Sequence, residues 1–231
     1  LNAVYSPTSG EILAGSLNLT LTSTGNGTCN PVSDQVHITF TPAPTVSAGP
    51  NQTVCANNAS VMLNGSVAIA TGGLWTTSGS GIFTPNNTSL NAIYSPSNND
   101  INAGVVSLYL TSTGNGNCNA VIDSMKITIT PAPVVEAGSD QTVCVDDLLI
   151  PLSGMVTGGS TTGIWTTSGS GIFIPSNNML TASYLASSAD SSVQGVTLTL
   201  TSTSNGNCLA VHDTMNIFIY PAGIANAGND V

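Results

Sequence analysis

Basic side chains are nearly missing from this 231-residue chain: Lys and Arg together number one, Lys126, against eleven Asp and Glu, for a formal charge of −10. Proteins that grip nucleic acid do so by displacing counterions from phosphates with clustered Lys and Arg, so nucleic acid is excluded as a partner. The same absence argues against attraction to anionic lipid, and no apolar run approaches the ~18 to 20 residues that span a bilayer, so direct membrane insertion is not expected. Histidine is limited to His37 and His212. Helix-favouring Glu, Lys and Arg are scarce, which removes the usual material of helical domains.

What is present is apolar and β-branched. Hydrophobic residues make up 41% of the chain, too many for a disordered polar segment, and Ser, Thr and Asn supply roughly a third. Val, Ile and Thr are stiff at χ1 and fit a pleated surface, while 24 Gly and 12 Pro punctuate the sequence. The expected fold is all-β.

Self-comparison decides the organisation. LTLTSTGNGTC at Leu19 recurs as LYLTSTGNGNC at Leu108 and LTLTSTSNGNC at Leu198, and WTTSGSGIF at Trp75 recurs at Trp165. NQTVC at Asn51 matches DQTVC at Asp140, and LNAVYSP at Leu1 matches LNAIYSP at Leu90 and LTASYLA at Leu180. The period is 90 residues or one fewer, and Pro-rich joints (TPAP at Thr41 and Thr130, YPAG at Tyr220) mark the boundaries as extended, semi-rigid connections. The expected division is residues 1–44 as the second half of a unit, complete units at 45–133 and 134–222, and 223–231 as the first strand of a following one. The nine-residue tail is too short to complete the first piece, so the sequence reads as a window on a longer array.

Within a unit, period-two alternation at Val106, Leu108 and Leu110, and at Ile127 and Ile129, predicts half-buried strands. Asn115-Gly116, with Asn26-Gly27 and Asn205-Gly206, predicts a tight hairpin between them. About seven short strands in ~90 residues predict an immunoglobulin-like antiparallel β-sandwich. Such a small core needs a staple, and the regular cysteine spacing predicts pairing inside each unit: Cys55 with Cys118 and Cys144 with Cys208, the partner of Cys29 lying outside the sequence. Closing ~63 residues stabilises by about 4 kcal/mol in the chain-entropy account. Free thiols and zinc are the rival readings, zinc lacking nearby His. Disulfides would place the chain outside the cytosol, cell-surface or secreted.

Taken together, AGxDQTVC, GxWTTSGSGIF, LTSTGNGNC and a DSM or DTM strand closing on TPAP resemble the PKD-like, immunoglobulin-like tandem repeats of very large Bacteroidota surface proteins, including gliding-motility adhesins of the SprB type. The resemblance spans nearly the whole chain. It departs from antibody domains, since no tyrosine corner precedes Cys118 or Cys208. It implies export by type IX secretion and display on, or release from, the cell surface. It also implies O-glycosylation at Asp-Ser/Thr-apolar triplets, which Asp123-Ser124-Met125 and Asp213-Thr214-Met215 match and Asp34-Gln35-Val36 does not; the competing reading is that Asp and Ser merely open the last strand. The Asn-x-Ser/Thr sequons at Asn58 and Asn87 read as products of composition.

No catalytic constellation stands out. His37 and His212 fall in different phases of the repeat, the glycines of TTSGSGIF lack the Lys and helix start of a phosphate loop and read as a tight hairpin, and Trp75 and Trp165 read as core rather than sugar platforms. Glu11, Asp100 and Asp190 share one phase, but each unit offers a single acid there, which suits a helical N-cap better than calcium. The sequence therefore predicts a non-enzyme without cofactor or metal: an extracellular stalk or filament linked to surface adhesion or gliding. Its expected partners are neighbouring repeats of the same chain, with surface glycans or other copies in a fibre as further candidates. The alternatives are a glycan-binding or spacer module of a secreted enzyme, or the subunit of a self-assembling fibre.

Overall fold

A computed structural model describes residues 2–223 and 225–226. Most of the expected strand at 223–231 therefore lies outside the described residues. The chain is all-β, built of sandwiches of facing sheets. It opens with α1 (Ser9–Ala14), β1 (Ser16–Thr22) and β2 (Ser33–Thr39). The first full sandwich comprises β3 (Thr45–Ser47), β4 (Gln52–Cys55), β5 (Val61–Met62), β6 (Ser66–Ala68), β7 (Gly72–Thr77), β8 (Ile82–Thr84), β9 (Ile93–Ser95), α2 (Asn98–Ala103), β10 (Val105–Thr113) and β11 (Ile122–Thr130). The second repeats that order as β12 (Pro133–Glu136), β13 (Gln141–Cys144), β14 (Leu149–Pro151), β15 (Met155–Gly158), β16 (Thr162–Thr167), β17 (Ile172–Ile174), β18 (Ser183–Leu185), α3 (Ser188–Ser192), β19 (Gly195–Thr203) and β20 (His212–Tyr220).

One face of the first sandwich is a four-stranded sheet in the order β4-β11-β10-β7, opposed by β3-β6 and β5-β9-β8. The opening edge is divided between the faces: β3 pairs antiparallel with β6, and β4 then crosses to run parallel with β11. Gly49, at φ +84, lies in that crossing, a conformation that costs glycine little and other residues more. The second sandwich has the same arrangement, with β13 parallel to β20.

Alternation drives one side of each long strand inward. Val106, Leu108 and Leu110 on β10 and Met125, Ile127 and Ile129 on β11 are buried against Trp75 and Tyr94. Trp75 is completely enclosed and donates its indole N–H to the Leu90 carbonyl, as Trp165 does to Leu180. The backbone approaches the indole so closely that a Cβ at Gly65 would sit 2.7 Å from Trp75 Cζ2 and 2.8 Å from Leu110 Cδ2. In the opening segment, Leu21 and Val36, the phase equivalents of buried Leu110 and Met125, are 63% and 56% exposed.

Two local expectations are corrected. β10 and β11 do form an antiparallel pair, but their connection is longer than a two-residue turn. The Ser112 amide donates to Val121, and positive φ falls on Gly114 and Gly116 rather than on Asn115. Ser204 takes the Gly114 conformation, at φ +54, in the second sandwich. The TTSGSG segment is not a hairpin either: β7 and β8 belong to opposite faces, and the glycines carry the chain between them.

Candidate functional site at the repeat junction

The strongest chemical feature lies between the sandwiches. Cys55, at the end of β4 and wholly buried, is disulfide-bonded to Cys208, 153 residues away in the loop between β19 and β20. A small set of amide contacts surrounds the bond. Asn57 Nδ2 donates to the Leu209 carbonyl at 3.0 Å while the Leu209 amide donates to Asn57 Oδ1 at 3.1 Å, so one side chain mimics a strand partner. Asn207 Nδ2 donates to the Thr53 carbonyl at 3.0 Å, and Asn58 Nδ2 to the Asn207 carbonyl at 3.4 Å. Cys208 Sγ rests 3.5 Å from the carbonyl oxygen of Pro131 in the connecting segment. Gly159 completes the seat, since a Cβ there would meet Pro131 O at 2.4 Å and Cys208 Sγ at 2.9 Å.

This overturns the pairing expected from spacing. Cys55 is bonded to Cys208 rather than to Cys118, and Cys118 and Cys144 are unbridged, as is Cys29. The reason is topological. The parallel register sets Cys55 beside Thr130, at the finish of β11, whereas Cys118 precedes the start of that strand. A nine-residue strand is about 30 Å long, far beyond the ~7 Å over which two Cα atoms can be bridged. The finish of β11 instead leads into the next sandwich, whose β19–β20 loop turns back toward it. The spacing of the cysteines is equally regular for either pairing; the distinguishing signal is that the early cysteine ends a strand running parallel with the last one.

A second cluster holds each sandwich together internally. Asp100, 4% exposed, is the third residue of α2 and closes a capping box with Ser97, which rather than the aspartate is the N-cap. Its Oδ2 accepts from the amides of Ser97 at 3.0 Å and Gly81 at 2.9 Å and from the Tyr94 hydroxyl at 2.9 Å; Oδ1 accepts from the Ser80 amide at 3.0 Å. Asp190 repeats the set with Ser187, Gly171, Tyr184 and Ser170. Burial works to raise the Asp100 pKa, but the Ser97 and Ser80 amides and the Tyr94 and Ser97 hydroxyls outweigh it and hold the carboxyl below its ordinary range. Tyr94 is pushed up, chiefly by burial. Two N–H groups of the SGSG turn, those of Ser80 and Gly81, are therefore taken up by an internal carboxylate, while the Gly79 amide donates to Thr77 Oγ1. Glu11, in the same phase, accepts from Tyr5 and Thr8.

The remaining sequence candidates fall on the surface or in the core. Ser124 and Thr214 are exposed on β11 and β20. The aspartates before them have a structural task, Asp123 accepting from the Ala48 amide and Asp213 from the Ala137 amide, both at 2.8 Å. His37 is exposed, with Nδ1 2.7 Å from Asn18 Oδ1, and His212 is exposed at the start of β20. Trp75 and Trp165 have no exposed surface for a sugar. Among the described residues, the exposed aromatics Tyr109, Phe218 and Tyr220 have Thr at their phase equivalents, Thr199, Thr128 and Thr130, and Tyr94 and Tyr184, the equivalents of exposed Tyr5, are buried, so no exposed aromatic platform repeats. Among the described residues, no group of three His, Cys, Asp or Glu converges on a metal position, and no helix is long and apolar enough to cross a membrane.

No family model and no curated protein sequence matches the chain. Among solved structures it is similar to mouse cadherin-23 EC22-24, at 10% identity over 79% of this chain and 67% of that one, with a TM-score of 0.43. It is also similar to Drosophila N-cadherin EC1-4, at 14% identity over 83% and 52% with a TM-score of 0.42. An I-band fragment of titin matches at 12% identity over 93% and 76%, with a TM-score of 0.48. The chain thus spans about half of the N-cadherin fragment and two thirds of the cadherin-23 fragment. These likenesses are of fold alone.

Proposed function

We propose that this chain is a structural extracellular array of immunoglobulin-like units, at 45–133 and 134–222 with 1–44 as the second half of a preceding unit. It serves as the stalk or filament of a large bacterial cell-surface adhesin, in surface adhesion or gliding motility. The observation that carries the reading is the junction. A covalent bond, four amide hydrogen bonds and a glycine seat are spent on fixing one sandwich against the next, where independent modules on a flexible tether need none of them. A disulfide persists in an oxidising compartment, which supports an extracellular location. The single basic residue leaves trypsin-like proteases almost no cleavage point, a property suited to an exposed strand.

Electron microscopy of the native full-length protein on and off cells tests this. Thin tethered strands are the expected result. Helical fibres with lateral contacts would make these units subunits of a self-assembling filament, and compact particles would make them spacers of a secreted enzyme. The same reading includes Ser124 and Thr214 as O-glycan acceptors, for which both hydroxyls stand clear of the core. Intact and peptide masses of the native protein should carry hexose additions on the peptides containing them, and unmodified peptides at both positions would remove the assignment.

A further inference from the structure

The cysteines left over after Cys55–Cys208 are not scattered. Cys144 ends β13 as Cys55 ends β4, 89 residues earlier, and Cys118 lies in the β10–β11 loop as Cys208 lies in the β19–β20 loop, 90 residues later. Cys118 and Cys144 therefore each occupy the position of one half of the bridge observed, and Cys29, in the β1–β2 loop 89 residues before Cys118, shares the position of Cys118 and Cys208. A second observation is independent of sequence phase. The Cys118 thiol is already seated on the preceding Pro-rich joint, 3.7 Å from the Pro42 carbonyl oxygen and 3.9 Å from that of Thr41. Pro42 is the equivalent of Pro131, on whose carbonyl oxygen Cys208 rests at 3.5 Å in the bonded junction. Cys144 is exposed at the far end of the second sandwich, beside the carboxylate of Asp146.

We propose that Cys118 and Cys144 are halves of two further bridges of the same kind. Cys144 pairs with the late cysteine of a unit following residue 222, and Cys118 with the early cysteine of a unit preceding the one at 45–133, so that every consecutive pair of units is joined by one disulfide. This rests on the array reading above. Each bridge forms by exchange with a small-molecule or enzyme disulfide: two S–H bonds are lost and one S–S bond is made. The two protons and the electron pair pass to the oxidant, which leaves as two thiols. The junctions are not chemically identical. Asp146 and Asp147 stand where Asn57 and Asn58 stand, so at the Cys144 junction the side chain still accepts a loop N–H but has no amide to donate to the loop carbonyl.

The test is to extend the 231-residue chain after Val231 with a second copy of residues 142–222, which continues the phase and adds one early and one late cysteine. After refolding with oxidised glutathione, the intact mass of the extended chain should lie about 4 Da below its reduced mass, against about 2 Da for the original chain. Cys144→Ser should return the extended chain to about 2 Da. A shift of only 2 Da in the folded extended chain, with Cys144 open to alkylation, would overturn the proposal, as would a Cys144 cross-link to any cysteine but the added late one. Non-reducing peptide maps of the native protein extend the test to Cys118, which should emerge linked to the early cysteine of a preceding unit; a free Cys118 thiol there would overturn its half. Microscopy judges the array and mass judges the bridge, so either can fail without the other.

Discussion

Replacing Asp100 with Asn keeps the size of the side chain and removes its charge, at a position where four donors converge on two oxygens. The amide oxygen can take the Oδ2 position and keep the bonds from Ser97, Gly81 and Tyr94. Its NH2 then faces the Ser80 amide, donor against donor. Three bonds fall from charged to neutral strength, a loss of about 1 kcal/mol each, and one enclosed N–H is stranded at about 1 kcal/mol or more. Allowing for relaxation and non-additivity, the first sandwich should lose about 3 kcal/mol, a large part of the ~5 to 10 available to a domain of this size. Calorimetry of the full chain should show the transition of that sandwich displaced downward by about 10 °C or more, with the second nearly in place. The pH dependence gives an independent sign. Because the folded pKa is depressed, the carboxylate contributes above the ordinary carboxyl pKa, and that stability is lost as pH falls through the lower, folded value. Wild type and Asp100→Asn should therefore diverge at neutral pH and converge in acid. Equal stability at pH 7, or an unchanged acid profile in the variant, would refute the account.

Removing the junction bond with Cys55→Ser and Cys208→Ser should destabilise both sandwiches together. With its neighbour folded, each is closed into a loop of roughly 75 residues, worth about 4 kcal/mol at most, read by urea unfolding with and without reductant. Gly65→Ala drives a methyl into Trp75 and Leu110 and should cost about 1 to 3 kcal/mol, with Gly154→Ala doing the same against Trp165 and Leu200 in the other unit; thermal unfolding checks both. Asn57→Ala removes the two-point contact with Leu209 and should leave the oxidised chain unchanged in shape. In the reduced chain it should free the two sandwiches to tumble separately, which NMR relaxation would detect.

Much of a sandwich was legible in residues whose effect is local. Strict alternation at Val106, Leu108 and Leu110 marks a half-buried strand because side chains on a pleat take opposite sides. A Trp whose neighbourhood recurs intact, small residues included, reads as core. What was not legible depends on which strand lies beside which. The fate of Cys55 turned on β4 running parallel with β11, and nothing in QTVC itself announces a crossing between faces. The SGSG turn looked like a hairpin because its glycines suit one, whereas its amides answer to a carboxylate nineteen and twenty residues ahead. Asn57 and Asn207 were hidden by composition: in a chain this rich in Asn, two that bridge units resemble those that only meet water.

The disulfide at the junction also sets the route of tension through the chain. A pull on the two ends enters the first sandwich at β3 and β4, passes through sulfur from Cys55 to Cys208, and leaves along β20. The 153-residue separation between those cysteines is shunted, so about 500 Å of slack that unravelling would release at ~3.4 Å per residue stays locked. Only the residues outside the bridge, 1–54 and 209–231, could be drawn out before a covalent bond failed or a reductant opened it. In a stalk of the kind proposed, a tug would therefore cross the junction through sulfur, with the 153 residues between the two cysteines adding no length.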